Sequence, residues 1–334
     1  MKIVIDEGIP YIKGRISEEA EITYLPGDKI SRDILQDADC VIVRTRTKCN
    51  RSLLEGTGVK LVVTATIGKD HIEEEWCESN GIIVRNSPGC NAGGVAQYVY
   101  SSLFNLGFNP LKDNLGVIGY GHVGGKVVEW SRILGVTTLI NDEPRRESGK
   151  EDVEYLPIEE VLKSSDAVTL HVPLTKAGAH PTHYLIGEKE LSQMKPGSII
   201  INSSRGGVIE EKALKGFLQD GRLKGVVDVW EGEPKIDLDL LKLSHIGTPH
   251  IAGYSEEGKR RATFMALEAV EDVLGIKTDR RGLESEADPQ RILSREIIES
   301  SYDPVKDSER LKGNPSDFER IRNEYKYRHE PLYI

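Results

Sequence analysis

Short runs of valine and isoleucine recur along this chain and constrain its fold more than any other feature. Segments with helical spacing of apolar residues separate the runs, for example 158–163 and 210–219. Uninterrupted apolar runs are typical of parallel strands, because helices bury both faces of such a sheet. The alternation occurs twice, so we predict an α/β protein with two parallel sheets. The first set comprises KIVI (2–5), CVIV (40–43), LVVT (61–64) and GIIV (81–84), and the second comprises LGVIG (115–119), TTLIN (137–141), AVTLH (167–171), SIIIN (198–202) and KGVVDV (224–229).

The composition argues against several classes of protein. The chain has 334 residues, enough for two or three domains, and a formal net charge of −10. Nucleic acids and anionic membranes bind clustered Lys and Arg, so we predict neither as a partner. No apolar run approaches the roughly 20 residues of a membrane helix, and the opening MKIVIDEGIP has no secretory apolar region. Free thiols and a cytoplasmic location are expected, because no Cys-x-x-Cys pair occurs among Cys40, Cys49, Cys77 and Cys90.

A glycine-rich turn opens the second set of strands. The sequence LGVIGYGHVGGKV places Gly119, Gly121 and Gly124 in the pattern G-x-G-x-x-G, after an apolar run and before a helical pattern. This is the context of a dinucleotide-binding turn. The glycines let the backbone approach the pyrophosphate, and amide groups at the helix start, near His122 and Val123, stabilise its charge.

Asp142 ends the next apolar run and bears on the choice of dinucleotide. Its carboxylate would accept hydrogen bonds from the adenosine ribose and would repel a 2′-phosphate, so NAD is predicted. Arg145 and Arg146 lie close by in sequence, and they keep NADP open as an alternative.

Three charged residues follow later apolar runs. Arg205 lies after the run 198–202, Glu233 lies in DVWEGEP, and His250 follows a short run around Ile246. The carboxyl ends of parallel strands meet at one edge of a sheet, so we expect these side chains to converge on the cofactor. Oxidation of a secondary alcohol beside a carboxylate needs a base, a cation and an acid group that holds the base. His250, Arg205 and Glu233 fit these roles in that order.

The chain resembles the D-isomer-specific 2-hydroxyacid dehydrogenases, and most closely those members that act on 4-phospho-D-erythronate. The motifs that carry the resemblance are VRTRTKCNRSLLEG (43–56), TATIGKDHIEEEW (64–76), SPGCNA (87–92), VWEGEP (229–234), HIAGYSEEGK (250–259) and SDFERIRNEYKYRHE (316–330). The resemblance implies two Rossmann-like, doubly wound parallel-sheet domains and a small C-terminal α+β dimerisation segment, hence a homodimer. The implied parts are a flavodoxin-like substrate-binding domain at 1–93 and 254–275, an NAD-binding Rossmann domain at 94–253, and the dimerisation segment at 276–334.

The resemblance also implies site residues. Arg205, Glu233 and His250 would be catalytic, with His250 as the proton donor in the reductive direction. Val172 stands where family members often have threonine, so a hydroxyl contact is lost there. The implied NAD contacts are Asp142, Val172, Ser203, Ser204, Arg205, Asp228 and Gly253, and the implied substrate contacts are Thr45, Thr66 and Tyr254.

The implied reaction is the oxidation of 4-phospho-D-erythronate at C2 to 2-oxo-3-hydroxy-4-phosphobutanoate, a step towards pyridoxal 5′-phosphate. The partner is then a small phosphorylated 2-hydroxy acid, and we hypothesise that Arg44, Arg46 and Lys48 receive its phosphate. Two alternatives stay open: the same chemistry on 3-phosphoglycerate or hydroxypyruvate, and an NAD-binding corepressor or sensor. No metal is predicted, because His180 and His183 have a metal-like spacing but no evident third ligand.

The last part of the chain is charged, with apolar residues at helical spacing. Residues 292–298 predict one amphipathic helix, and Ser316 with Glu319 predicts the capping box of another. Phe318, Ile321 and Tyr325 share one face of that second helix. We expect this tail to pack on its own core or on a second copy of the chain.

Overall fold

The structure is a computed structural model that describes residues 1–149, 153–284, 287–288 and 290–332. The predicted dimerisation segment includes residues 285, 286, 289, 333 and 334, which lie outside this description. The strands are β1 Lys2–Asp6, β2 Glu21–Leu25, β3 Cys40–Val43, β4 Leu61–Thr64, β5 Ile83–Arg85, β6 Asn114–Ile118, β7 Thr137–Asn141, β8 Ala167–Leu170, β9 Ile199–Asn202, β10 Lys224–Val227 and β11 Ile246–Gly247. The α-helices are α1 Arg32–Leu35, α2 Arg51–Leu54, α3 Glu74–Ser79, α4 Ala92–Asn105, α5 His122–Leu134, α6 Glu143–Ser148, α7 Ile158–Ser164, α8 Glu188–Ser192, α9 Glu211–Gln219, α10 Leu238–Leu243, α11 Glu256–Leu274, α12 Arg295–Ser301, α13 Pro304–Gly313 and α14 Phe318–Asn323.

The chain forms two compact units, and each contains one parallel sheet. The first unit comprises residues 1–91 and 256–287, and the second comprises 92–255 and 288–332. In the first unit, five strands lie in the order β2-β1-β3-β4-β5. Alternate residues of β1 point into different apolar clusters: Ile3 and Ile5 into one, Val4 into the other. Helix α11 adds Ala266 and Val270 to the first of these clusters, so helices cover the sheet as the apolar runs predict.

In the second unit, six parallel strands lie in the order β11-β10-β9-β8-β6-β7. The chain passes from β6 to β7 on one side and then to β8 on the other, so the direction of winding reverses between β6 and β8. Ligands of open α/β sheets bind outside the carboxyl ends of the strands at such a reversal. The glycine-rich turn follows β6 and therefore lies at this position.

The predicted parallel strands are all present, whereas β2 was missed. Its sequence EITYL has a charged end and mixed polarity, and none of its residues is fully buried. An edge strand pairs on one side only, so it does not need the apolar run that marks the central strands. All four cysteines are free, as predicted, and the structure buries each of them. Among the described residues, no helix is both long and apolar enough to cross a membrane.

The C-terminal residues pack on the core of the second unit. Leu311, Phe318 and Ile321 join the apolar cluster on one face of the sheet, and Leu293 and Ile298 join the cluster on the other. The expectation of an α+β segment is wrong for the described residues from 288 onwards. They form helices and a single isolated bridge, because their apolar residues recur at helical spacing.

The predicted capping box at Ser316 and Glu319 is also wrong. Pro315–Asp317 forms a 3₁₀ turn, and α14 begins at Phe318 with no side-chain cap. The preceding proline fixes the backbone of this turn and moves the helix start past Ser316. A serine caps α12 instead, where Ser294 accepts a hydrogen bond from the amide of Ile297.

Arg328 joins this C-terminal segment to the loop that follows β11. Its side chain is buried and its guanidinium stacks 4.1 Å from the ring centroid of Tyr302. It donates hydrogen bonds to the side chain of Gln97 and to the backbone carbonyl groups of Gly94, Ile251, Ala252 and Tyr254. The loop with His250 therefore depends for its shape on a residue near the C-terminus.

We predict that Phe318→Ala destabilises the second unit by about 3–5 kcal/mol, the usual cost of removing a buried aromatic ring. Phe318 is 1% exposed. Denaturant unfolding would measure the loss. The matched control is Ile292→Ala, because Ile292 is 77% exposed and should change stability little. Equal stability of the two variants would contradict the packing of α14 on this core.

We predict that Arg328→Met destabilises the protein by about 3–5 kcal/mol, because it leaves several buried carbonyl groups without a donor. Lysine should not rescue the loss, since an ammonium group lacks the planar fork that reaches several carbonyls at once. Lys326→Met removes an exposed cation two residues earlier and serves as the control. Unfolding midpoints that do not differ between the two methionine variants would refute the role of Arg328.

Candidate active site

The glycine-rich turn has the close packing that a dinucleotide requires. Gly119 has φ +91°, and a Cβ on Gly124 would lie 1.9 Å from the carbonyl oxygen of Gly119. A side chain on Gly124 would force α5 away from the end of β6, and one on Gly119 would lie 2.6 Å from the carbonyl oxygen of His171. Gly121, at the N-cap of α5, has open space where its Cβ would be. His122 and Val123 begin α5, so their amide groups lie at its positive end, where a pyrophosphate binds favourably.

Asp142 lies beside this turn, at the end of β7. Its carboxylate accepts hydrogen bonds from the amides of Tyr120 at 2.8 Å and Arg145 at 3.2 Å. The two arginines that favour NADP are both close to carboxylates. Arg145 Nε lies 3.7 Å from Asp142, and Arg146 Nη2 lies 2.8 Å from Glu143. These pairs leave a carboxylate, and not a free cation, at the position predicted for the ribose.

The next two strands end in the other residues expected near the cofactor. Val172 follows β8, and its side chain lies 2.9 Å from where a Cβ on Gly119 would be. After β9, Asn202 accepts hydrogen bonds from the amide and the hydroxyl of Ser204. The hydroxyl of Ser203 is buried, and no described residue offers it a hydrogen-bond partner. An orphaned hydroxyl at this edge fits a polar ligand such as the dinucleotide.

His250 and Glu233 form a hydrogen-bonded pair. Nδ1 of His250 lies 2.9 Å from Oε2 of Glu233, and the side chains are 31% and 20% exposed. The other carboxylate oxygen accepts the amide of Trp230 at 3.0 Å. Burial alone would raise the pKa of Glu233, but the hydrogen bond and charge of His250, the Trp230 amide and Arg322 together lower it. An ionised carboxylate only accepts hydrogen bonds, so Nδ1 of His250 carries the proton and Nε2 is the nitrogen that can accept one.

Arg205 lies in the loop that packs against the Glu233 segment. Its Nη1 donates to the carbonyl of Ser204 at 2.8 Å. The adjacent Gly206 approaches so closely that a Cβ there would lie 2.1 Å from the carbonyl oxygen of Trp230. The loops after β9 and β10 are therefore in contact, as the shared edge of their strands predicts.

Asp228 holds the loop that carries His250. It is 1% exposed, and its carboxylate accepts from the hydroxyl of Thr248 and the amides of Ile251 and Ala252, at 2.7–2.9 Å. Burial raises the pKa of Asp228, and the charge of His250 and these hydrogen bonds oppose the rise. Gly253 and Tyr254 continue the loop. The role of Asp228 as an NAD contact stays a prediction.

The remaining predicted residues lie in the first unit. Thr45 is exposed in the loop after β3, and the Thr66 hydroxyl lies 2.7 Å from that of Thr64 after β4. Arg44 does not fit the hypothesis of a phosphate-binding cluster, because its guanidinium already pairs with buried Asp6 at 2.9 and 3.3 Å. The described part of the chain contains no group of three or more His, Cys, Asp or Glu side chains that could hold a metal ion.

Two contributors to this site were not predicted from the sequence. The Trp230 amide holds Glu233, and Arg322 of α14 lies 3.7 Å from the same carboxylate that binds His250. The motif VWEGEP contains Trp230 and could have indicated it. Arg322 lies far from the other site residues in sequence, and no spacing pattern marks it.

Comparisons with known proteins agree with this geometry. The protein-family model for the NAD-binding domain of D-isomer specific 2-hydroxyacid dehydrogenases matches residues 98–252 of this chain. The erythronate-4-phosphate dehydrogenase of Bacteroides fragilis is 44% identical over 99% of this chain and 97% of its own length. That of Escherichia coli is 40% identical over 100% of this chain and 94% of its own length. The crystal structure of an Aquifex aeolicus D-lactate dehydrogenase with NAD and lactic acid is 27% identical, with a TM-score of 0.63 over 82% of this chain and 96% of that one.

The second unit is thus an NAD-binding domain, as the glycine turn and Asp142 predict. The identity to named relatives extends over both units and over the C-terminal residues. The chain therefore belongs to the D-isomer specific 2-hydroxyacid dehydrogenase family, in the group of the erythronate-4-phosphate dehydrogenases.

Proposed function

We propose that this protein oxidises 4-phospho-D-erythronate at C2 to 2-oxo-3-hydroxy-4-phosphobutanoate with NAD, a step towards pyridoxal 5′-phosphate. The observation that carries the proposal is the 2.9 Å pair of His250 and Glu233 at the carboxyl edge of the sheet that has the dinucleotide turn. The names of the relatives give the substrate.

The side chains of the second unit divide the reaction between them. NAD, when bound, accepts the hydride that leaves C2. His250 removes the hydroxyl proton through Nε2, and Glu233 stabilises the imidazolium through its bond to Nδ1. Arg205 offers a planar fork that binds the substrate carboxylate and polarises the forming carbonyl. In the reverse direction the same imidazolium returns the proton.

The strained backbone of His250 is consistent with this role. Its φ is +58°, in the left-handed region that few residues other than glycine adopt. Such conformations persist where the surrounding structure fixes them, and they concentrate at functional sites. The bonds that Asp228 and Arg328 make to this loop supply that constraint.

A homodimer and a cytoplasmic location complete the proposal. The resemblance of the C-terminal segment to a dimerisation domain supports the first. The four buried cysteines, none of which forms a disulfide, fit a reducing compartment.

The first test is a panel of substrates with the purified protein. We expect turnover of 4-phospho-D-erythronate with NAD, and kcat/KM at least about tenfold lower with NADP, because Asp142 repels a 2′-phosphate. Absorbance of the reduced nicotinamide measures both. Strong activity on 3-phosphoglycerate or hydroxypyruvate, with none on 4-phosphoerythronate, would refute the substrate assignment.

The second test separates an enzyme from an NAD-binding sensor. His250→Asn should lower kcat by about 10²–10⁴, the usual contribution of a general base. Asparagine tolerates the left-handed backbone, so the loop should keep its shape. NAD affinity, measured by fluorescence titration, should stay unchanged. His245→Asn is the matched control, because His245 is exposed. If the His250→Asn variant had the same kcat as this control, His250 would be excluded as the base.

A further inference from the structure

Helix α14 places an arginine against the catalytic pair. Nε of Arg322 donates to the hydroxyl of Tyr254 at 3.2 Å, and Nη1 lies 3.7 Å from Oε2 of Glu233. That oxygen also binds Nδ1 of His250. A single carboxylate oxygen therefore separates this guanidinium from the proposed base.

The surroundings of Arg322 do not match its hydrogen-bonding capacity. A guanidinium has five N–H donors, and Arg322 is only 24% exposed. Among the described residues it has one hydrogen bond, to the Tyr254 hydroxyl, and one ion-pair contact at 3.7 Å, with Glu233. Both oxygens of that carboxylate, Glu233, already accept hydrogen bonds from Trp230 and His250. Within the described residues these two contacts use only part of the donor capacity of the guanidinium, which suits an anionic ligand.

Tyr254 is fixed beside this arginine. Its ring packs edge-on against Tyr325 at 6.1 Å and against Tyr327 at 6.2 Å between centroids. Both partners come from the C-terminal segment. The phenol and the guanidinium thus form a rigid pair that a flexible surface side chain could not provide.

The proposed substrate has two anionic groups, one at each end. Arg205 is the proposed partner of the carboxylate beside C2. The phosphate on C4 lies two carbons further along. A phosphate dianion in a partly buried site needs a cation with directional donors, and arginine suits this better than lysine. Arg44 is an unsuitable candidate, because Asp6 already neutralises it.

We propose that Arg322, together with the hydroxyl of Tyr254, binds the phosphate group of the substrate. The inference rests on the proposed function and assigns α14 a part in substrate recognition. The C-terminal segment then selects phosphorylated acids, while His250 acts on the hydroxyl group at C2.

The test compares Arg322→Met with the wild-type protein. We expect KM for 4-phospho-D-erythronate to rise about 10- to 100-fold, the effect of losing charge-assisted hydrogen bonds, with kcat changed less than about threefold. Inorganic phosphate should inhibit the wild-type protein competitively, and its inhibition constant should rise by a similar factor in the variant. Arg320→Met is the matched control, because Arg320 lies on the same helix, 62% exposed and paired with Asp317.

Arg322→Lys keeps the positive charge and most of the side-chain packing, and it replaces the methionine variant if that protein does not fold. We expect intermediate values of KM and of the phosphate inhibition constant. A fall in kcat with KM unchanged would mean that Arg322 acts only through Glu233, and would overturn the phosphate site. So would an inhibition constant for phosphate that is equal in variant and wild type.

The phosphate measurement also separates this inference from the proposed function. If the wild-type protein oxidises a different 2-hydroxy acid, the assignment of 4-phosphoerythronate fails. Inhibition by inorganic phosphate, measured with whichever acid is turned over, still decides whether Arg322 binds phosphate. Absence of such inhibition in the wild-type protein would refute the inference alone.

Discussion

The loop from His250 to Ser255 is held between a buried anion and a buried cation, and the proposed chemistry depends on this arrangement. Asp228 accepts the amide groups of Ile251 and Ala252, and Arg328 donates to the carbonyl groups of the same two residues. Either charge alone would be costly in the interior. Together they satisfy the polar groups of a loop that neither helix nor strand can satisfy, and they hold His250 at φ +58°.

This constraint gives the histidine a defined direction. The backbone amide of His250 bonds the carbonyl of Asp228 at 2.8 Å, and its ring bonds Glu233. Glu233 in turn accepts a hydrogen bond from the Trp230 amide. Backbone groups therefore fix both His250 and Glu233. Because Nδ1 faces the carboxylate, Nε2 is left to exchange the substrate proton. Preorganised groups of this kind lose little freedom when the reaction takes place.

Local signals in the sequence predicted the strands and the glycine turn of this site, but not the long-range contacts that stabilise its loops. Buried parallel strands need runs of Val and Ile, and a dinucleotide turn needs glycine where a Cβ would collide, so both features leave a local trace. The edge strand β2 buries little apolar surface, so its sequence carries no such local signal. The pairing of Arg44 with Asp6, and of Arg328 with the loop after β11, joins residues that are far apart in sequence. Such contacts follow from how the strands and helices pack, and residue spacing carries no information about them.

Arg328 and Arg322 of the C-terminal segment have different roles: the first stabilises a loop, and the second is proposed to bind substrate. Arg328 is buried and directs its donors to carbonyl groups of its own chain, so its bonding capacity is satisfied within the fold. Arg322 is less buried, and among the described residues it has one hydrogen bond, to the Tyr254 hydroxyl, and a 3.7 Å contact with the Glu233 carboxylate. Partial desolvation of a cation is unfavourable, and the contacts with Tyr254 and Glu233 offset only part of its cost. A bound phosphate would add charge-assisted hydrogen bonds that these two contacts do not supply, and the substrate proposed for this site has an anionic group at each end.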